Sequence, residues 1–538
     1  MKKASIVIVL LTIIWACNYG QQNELRVLHN ESLIGSIDSN NQKFSCVEYI
    51  FPKRIYSFGF LPESYNMQIM LRSLSKDKEY YGFDGDVVIY DFNNSKTKWN
   101  KSYNYYNNSN MYSESGFVIG DMGRSFIYNS DNGELIKKIK NAFIYISEKN
   151  NIGIGFKYSS FEGSVTNKLQ AVDLNNGKPL WTRELDCDFG VDNVFQTSDS
   201  TIIIVASGLH NVNIHTGKGY GIKLKTGIKD YSKTAGANAV GIAAGILTGT
   251  FVLSTGYDFV DGLQSGIIAD SSGLYMASKN RIVKIDFNCY KLWDSSLPDD
   301  LTSKSSIFSD SNNIFLINHG YGNRGNRKIK MGKPYFACFD KLTGEEKYNN
   351  LLTVDDKAVV DSYLISDSTV YVLLNNSLSE LSLNTGKLLA YNQFDEEIYG
   401  KVKTFLTSKA VNENSDSTYM ITSYADSTNI RLVTNNDTYF SINRKLKEVG
   451  AVKPISDLWF YNLSYGDYKL ITKGNKTLII DSLNRRFGEL EASRSAFVRD
   501  NKLYTKYDNK IKVIDLNILL NVENKVATSI DSAQDDYH

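Results

Sequence analysis

Residues 169–181 read Leu169-Gln170-Ala171-Val172-Asp173-Leu174-Asn175-Asn176-Gly177-Lys178-Pro179-Leu180-Trp181. Leu169 and Ala171 share one face of a period-two pattern, the mark of a β-strand. Asn176-Gly177 supplies the positive φ that a tight turn with a bulge needs. Trp181 closes the return strand with a large ring able to pack on a neighbouring unit. The stretch is a β-hairpin with an aromatic end.

The unit recurs. Copies run from Val88 through Asp91 to Trp99, from Ala337 through Asp340 and Gly344 to Tyr348, from Val283 through Asp286 to Trp293, and from Glu380 through Gly386 to Leu388. Weaker copies are Tyr128–Gly133 and Ile222–Gly227. Asp and the aromatic are eight apart in the pairs 91/99, 173/181 and 340/348, and seven apart in 286/293. Trp99, Trp181, Trp293 and Tyr348 fill the aromatic slot; Gly177, Gly344 and Gly386 fill the turn slot. Upstream strand pairs, as in 273–286, 368–381 and 502–515, complete a unit of about 40–60 residues, the period of propeller blades.

The motif resembles the PQQ-like repeat of quinoprotein-dehydrogenase-like propellers, D-x-x-T-G-K-x-x-W, in degenerate copies from about Ser36 to Asp515. The resemblance implies an all-β, single β-propeller over 25–528. Eight blades are expected, with seven as the alternative; two smaller propellers or a solenoid would need a linker that 6 prolines in 538 residues do not suggest. Ring closure is expected between a strand near Leu25–Leu33 and strands near Ile511–Leu516. The quinone enzymes of that family use an adjacent Cys-Cys pair, a Ca²⁺ site and a catalytic Asp. Here Cys46, Cys187, Cys289 and Cys338 are isolated and no Asp-rich calcium loop occurs. A quinoprotein dehydrogenase is therefore disfavoured: no cofactor, no metal site and no catalytic residues are expected, and the repeat reads as scaffolding.

Composition agrees. Lys+Arg is 60 against Asp+Glu 59, which gives no case for nucleic acid. With 35 Tyr, 26 Phe and 38 Gly, the chain is rich in strand and turn formers.

The first residues carry an address. Met1-Lys2-Lys3 precedes an apolar run, Ala4–Ala16, too short to span a bilayer comfortably but suited to a signal peptide. Ile14-Trp15-Ala16-Cys17 resembles a bacterial lipobox. It implies cleavage after residue 16, acylation of Cys17 and a tether over 17–24; the alternative is an ordinary secretory signal with an incidental Cys. The location expected is the Gram-negative outer membrane, with the periplasmic face favoured because no acidic cluster follows Cys17. Residues 529–538 read as a polar tail.

Three stretches are candidates for function. His210, Asn213 and His215 lie in a Gly-rich segment, 208–221, and could line a binding loop. Tyr321, Arg324 and Arg327 belong to a Gly-rich cationic loop, 320–330. Thr234–Gly256 is uncharged, with Gly241, Gly245 and Gly249 in G-x-x-x-G spacing. It is expected to be an inter-blade Gly/Ala-rich element packed on the propeller, with a membrane or barrel contact as the alternative. The function expected is a non-enzymatic protein-interaction scaffold. A glycan- or ligand-binding propeller is the alternative.

Overall fold

A computed structural model describes residues 25–62, 64–75, 80–106, 108–113, 116–121, 123–159, 164–230, 258–325, 327–355, 358–413, 418–422 and 428–519. The expected signal peptide 1–16, Cys17 and its expected tether 17–24, the segment Thr234–Gly256 and the expected tail 529–538 lie outside these residues.

The strands sort into antiparallel sheets that follow one another in chain order. Blade 1 is Arg54–Phe60, Asn66–Leu74, Tyr81–Asp91 and Lys96–Asn104. Eight four-stranded blades follow, within 108–139, 141–184, 193–223, 268–296, 305–351, 360–393, 402–454 and 459–491. Blade 10 joins the two ends of the chain: Phe497–Arg499, Lys502–Tyr507 and Lys510–Asp515 pair onward to Phe44–Ile50, with Cys46 opposite Ile514. The described residues thus form one all-β propeller of ten blades.

That number corrects the expected eight or seven. The Asp–aromatic motif undercounts because the fourth strands of blades 2 and 4, Leu135–Ile139 and Gly221–Lys223, carry no aromatic, and blades 8 to 10 lack the full motif. The closure also differs. The strand bonded to Lys510–Asp515 is Phe44–Ile50, while Leu28–Ile34 sits outside it as a fifth strand. Phe44–Ile50 buries Phe44, Cys46 and Tyr49, whereas Leu28–Leu33 is exposed throughout; apolar burial selects the former.

Each blade packs on the next through its own apolar layer. Trp99 and Phe117 share the layer between blades 1 and 2, Ala171 and Ile204 that between 3 and 4, and Tyr275 and Tyr335 that between 5 and 6. Corresponding layers continue round to Leu470 with Ile514 between blades 9 and 10, and Ile69 with Val513 between blades 10 and 1. Among the described residues the series closes on itself, leaving no blade face unpaired. Between blades 8 and 9 the direct layer is small, and an extra hairpin, Ala410–Glu413 with Tyr419–Thr422, packs Val411 and Tyr419 onto blade 9.

First strands of adjacent blades meet at the inner edge. Tyr145 Oη donates to Gln196 Oε1 at 3.1 Å, Ser362 and Thr404 hydroxyls stand 3.0 Å apart, and the Phe58 and Phe497 rings lie 5.3 Å apart. Fourth strands, such as Leu388–Gln393, are largely exposed on the outside.

The repeat residues lock neighbouring blades. In the 3–4 turn, the first residue caps the backbone: Asn175 N donates to Asp173 Oδ1 at 2.9 Å, and Gly177 N to Asp173 O at 2.7 Å. The aromatic of one blade then donates to the carbonyl just after the capping residue of the next. Trp99 reaches Ser130 O at 2.9 Å, Trp181 Ile214 O at 2.8 Å, Trp293 Lys341 O at 3.3 Å and Tyr348 Leu383 O at 2.6 Å. Where Gly221–Lys223 lacks an aromatic, Asn211 Nδ2 takes the role and donates to Phe287 O at 2.7 Å. Ile222–Gly227 is not a turn copy: 221–223 is the outer strand of blade 4. The copy in that blade is Asn213-Ile-His-Thr-Gly217, with Asn in place of Asp. Trp181 is half-buried, not a full core residue, unlike Trp99 and Trp293 in the same slot.

Candidate functional site

The sequence candidates separate. His210 lies in the strand Gly208–Asn213, buried, its Nε2 2.9 Å from Ala206 O; burial holds its pKa below the usual imidazole value. Asn213 Oδ1 caps the turn, accepting from His215 N at 3.1 Å and Thr216 N at 3.0 Å. His215 is an exposed turn residue. His210 and Asn213 thus hold the blade and its turn, while the His215 side chain faces solvent. Tyr321, Arg324 and Arg327 sit on a hairpin, Tyr321–Arg324 with Arg327–Lys330, inserted between the second and third strands of blade 6. In an up-and-down sheet the 2–3 and 3–4 connections lie at opposite ends. His215 and the cationic hairpin therefore occupy opposite faces of the ring.

The hairpin is anchored beside the stem of the Gly/Ala-rich segment. Ile228–Asp230 pairs with Asp258–Val260, and Asp261 exchanges backbone hydrogen bonds with Asn323 at 2.9 and 3.0 Å. Tyr321 is buried, with the Lys328 ammonium 4.4 Å from its ring centroid. Beneath it His319 is buried, Nε2 2.8 Å from Ser306 Oγ and Nδ1 3.4 Å from Val360 O. Burial, with Lys304 and Lys328 nearby, lowers the His319 pKa to about 4. The neutral ring accepts or donates one hydrogen bond on each side. Asp192, Asp261 and Asp361, on the same side of the ring, are all raised above the usual carboxylate value by burial.

A second feature of this face was not singled out in the sequence. The long strands of blade 1 carry exposed rings at their 2–3 and 4–1 ends: Tyr106 is 76% exposed, Tyr80 63%, Phe83 57% and Tyr56 48%. Phe83 and Tyr106 meet edge to face at 5.5 Å, and Tyr56 meets Tyr105 at 5.2 Å. The Arg72 guanidinium lies 4.7 Å from the Tyr105 centroid, 5.2 Å from Tyr56 and 5.7 Å from Tyr81, and its Nε donates to Gly82 O at 2.5 Å. Asn104 Nδ2 donates to Asp84 Oδ1 at 3.1 Å beside the rings. The signal was present as Tyr80-Tyr81-Gly82-Phe83 and Tyr103-Asn104-Tyr105-Tyr106. It is visible only once the pairing of Asp84 with Asn104 brings the two runs together.

Cys46, Cys187, Cys289 and Cys338 are free thiols, and burial raises the pKa of each. Among the described residues no group of three His, Cys, Asp or Glu side chains is placed to hold a metal ion, and no helix is long and apolar enough to cross a membrane.

No family model matches the chain, and no curated protein matches it. Solved structures do. BamB from Moraxella catarrhalis is 12% identical, with a TM-score of 0.33 over 75% of this chain and 95% of that one. Sqt1 from Saccharomyces cerevisiae is 10% identical, with a TM-score of 0.30 over 75% and 96%. Hsv2 from Kluyveromyces lactis is 9% identical, with a TM-score of 0.25 over 64% and 96%. The ten-bladed ring stands on its own strand pairing and apolar layers, independently of these matches.

Proposed function

We propose that this chain is a non-catalytic interaction scaffold of the Gram-negative envelope, a PQQ-like propeller held at the periplasmic face of the outer membrane by an acylated Cys17. The observation that carries the scaffold reading is the exposed ring cluster of blade 1. Tyr56, Tyr80, Phe83 and Tyr106 with Arg72 form a patch of the residue types that dominate protein-binding hot spots. Exposed apolar patches of this kind on soluble faces mark docking sites. The lipobox-like Ile14-Trp15-Ala16-Cys17 supports the location.

A glycan-binding reading has one observation in its favour. Phe83 and Tyr106 stand beside the Asp84–Asn104 pair, so flat apolar rings adjoin hydrogen-bonding groups suited to sugar hydroxyls.

Site-specific photocrosslinking in intact cells tests both. A photoreactive residue at Tyr106, compared with one at the outer-strand Leu388, is expected to capture a discrete protein partner. Capture of glycan only selects the second reading. Identical patterns at the two positions remove the blade 1 face from the account.

A further inference from the structure

At the seam between blades 5 and 6 a cavity of about 720 Å³ opens on the face that carries the 1–2 and 3–4 turns, the face opposite the blade 1 rings. Lys284, in the third strand of blade 5, reaches into it. Two residues before the turn Asp, this strand position holds Ile89, Ala171, Cys338 and Ile479 in blades 1, 3, 6 and 9, each buried in the layer against the next blade. Blades 4 and 7 place polar residues there, and both bond inside the ring: Asn211 Nδ2 donates to Phe287 O at 2.7 Å, and Glu380 Oε1 accepts from Tyr371 Oη at 3.0 Å. Lys284 is only 6% exposed, with its Nζ 5.2 Å from the Tyr275 ring centroid, yet it makes no hydrogen bond or ion pair among the described residues. Unlike the enclosed Tyr90 hydroxyl, which also lacks a partner, its ammonium opens on the cavity. A cation sunk in an apolar layer without a partner is a standing cost that a bound anion removes. The other charges lining the cavity are matched. Asp270 takes Lys341 Nζ at 2.9 Å and Ser272 N and Oγ at 2.7 Å each. Asp340 takes Lys347 Nζ at 3.1 Å, Leu342 N at 2.9 Å and Thr343 N at 3.0 Å. Lys284 is left as the one unmatched charge of the cavity.

We propose that this cavity binds a carboxylate, seated on the Lys284 ammonium. A single negative charge matches the one unmatched positive charge, whereas a dianion would also face Asp270 and Asp340. The ammonium is a point charge with three donors, suited to one carboxylate group and not to a planar fork. Ser271, Ser311 and Asn312 are exposed at the mouth and offer hydroxyl and amide donors to the rest of the ligand. The carboxylate could belong to an acidic residue of a polypeptide or to a free carboxylic acid. The site lies across the ring from the blade 1 rings, so it stands or falls separately from that patch.

Ligand-detected NMR titration of the full-length, detergent-solubilised protein tests this, with the capped peptide acetyl-Gly-Glu-Gly-amide in one arm and glucuronate in the other. Each arm carries its neutral counterpart, acetyl-Gly-Gln-Gly-amide or glucuronamide, so the charge is tested on the wild-type protein itself. Binding of at least one acid, at least tenfold tighter than its neutral counterpart, is expected. Preference for the peptide identifies a polypeptide ligand; preference for glucuronate identifies a free acid. In Lys284→Met, affinity should fall about tenfold or more. The same variant should keep or raise the thermal transition, because apolar side chains fill this position in other blades. Lys284→Arg, which keeps the charge, should retain more affinity than Lys284→Met. No binding of either acid up to about 20 mM, equal binding of acids and neutral counterparts, or affinity unchanged in Lys284→Met overturns the proposal.

Discussion

The indole Nε1 of Trp181 donates to the carbonyl oxygen of Ile214 at 2.8 Å, across the seam between blades 3 and 4. The same ring lies where a Cβ on Gly217 would come within 2.6 Å of it. The aromatic slot and the turn glycine of the repeat therefore belong to different blades and form one contact. Trp293 with Gly344 and Tyr348 with Gly386 repeat it.

Removing a buried member of this series should unfold the whole ring. Trp99 is 3% exposed within the layer between blades 1 and 2. Trp99→Ala should cost about 3–5 kcal/mol in urea unfolding, and half-buried Trp181→Ala clearly less. Because each blade leans on the next, both should show one shifted transition. A separate early transition for blades 1 and 2 would contradict this.

The turn glycines separate backbone strain from contact. Gly344 has φ +77° with Trp293 only 2.5 Å from a hypothetical Cβ, while Gly190 has φ +86° with nothing within 4 Å. Gly190→Ala should cost about 1–2 kcal/mol from left-handed strain alone. Gly344→Ala should add about 1–3 kcal/mol for the ring it displaces. Equal thermal shifts would remove the aromatic–glycine contact as a source of stability.

Stability should fall as His319 is forced to protonate. Its folded pKa, about 4, is below the 6.5 of a free imidazole because the ring is buried. Its contribution is complete above pH 6.5, is lost as pH falls from 6.5 to 4, and changes no further below 4. The gap between the two values corresponds to about 3 kcal/mol. Burial raises the pKa of Asp192, Asp261 and Asp361, so rising pH above the unfolded carboxylate value works against the fold at those groups. Comparing wild type with His319→Gln across this range isolates the imidazole. Parallel curves would show that His319 is not the group responsible.

Acylation of Cys17 is testable by metabolic labelling with a palmitate analogue. The label should appear on the wild-type chain and vanish in Cys17→Ser. Label retained in the variant would place the lipid elsewhere.

Sequence reading reached the hairpin unit because it rests on local chemistry. Asp173 as acceptor, Gly177 in a left-handed turn and Trp181 at the strand end are all spelled out within 169–181. The copy at Asn213–Gly217 was hidden because Asn caps the turn as well as Asp does. Blade number was hidden for a related reason: strand count is set by pairing, and Phe44–Ile50 joins its blade through residues distant in sequence. The choice of Phe44–Ile50 over Leu28–Ile34 for closure depends on which strand buries its face, a property of the assembled ring. The blade 1 aromatic face needed the pairing of two strands before its rings became neighbours.

A designed disulfide tests the closed ring most directly. Cys46 lies opposite Ile514 in the closing pair of strands, and both are buried in the layer between blades 9 and 10. Directly paired strand residues have the Cα separation a disulfide needs. In the otherwise native chain, Ile514→Cys should oxidise to an intramolecular bond between positions 46 and 514. It would run faster on a non-reducing gel and raise stability by about 2–4 kcal/mol relative to its reduced form. An introduced thiol at position 514 that stays free in the folded oxidised protein, or that links only to a second chain, would contradict ring closure through Phe44–Ile50.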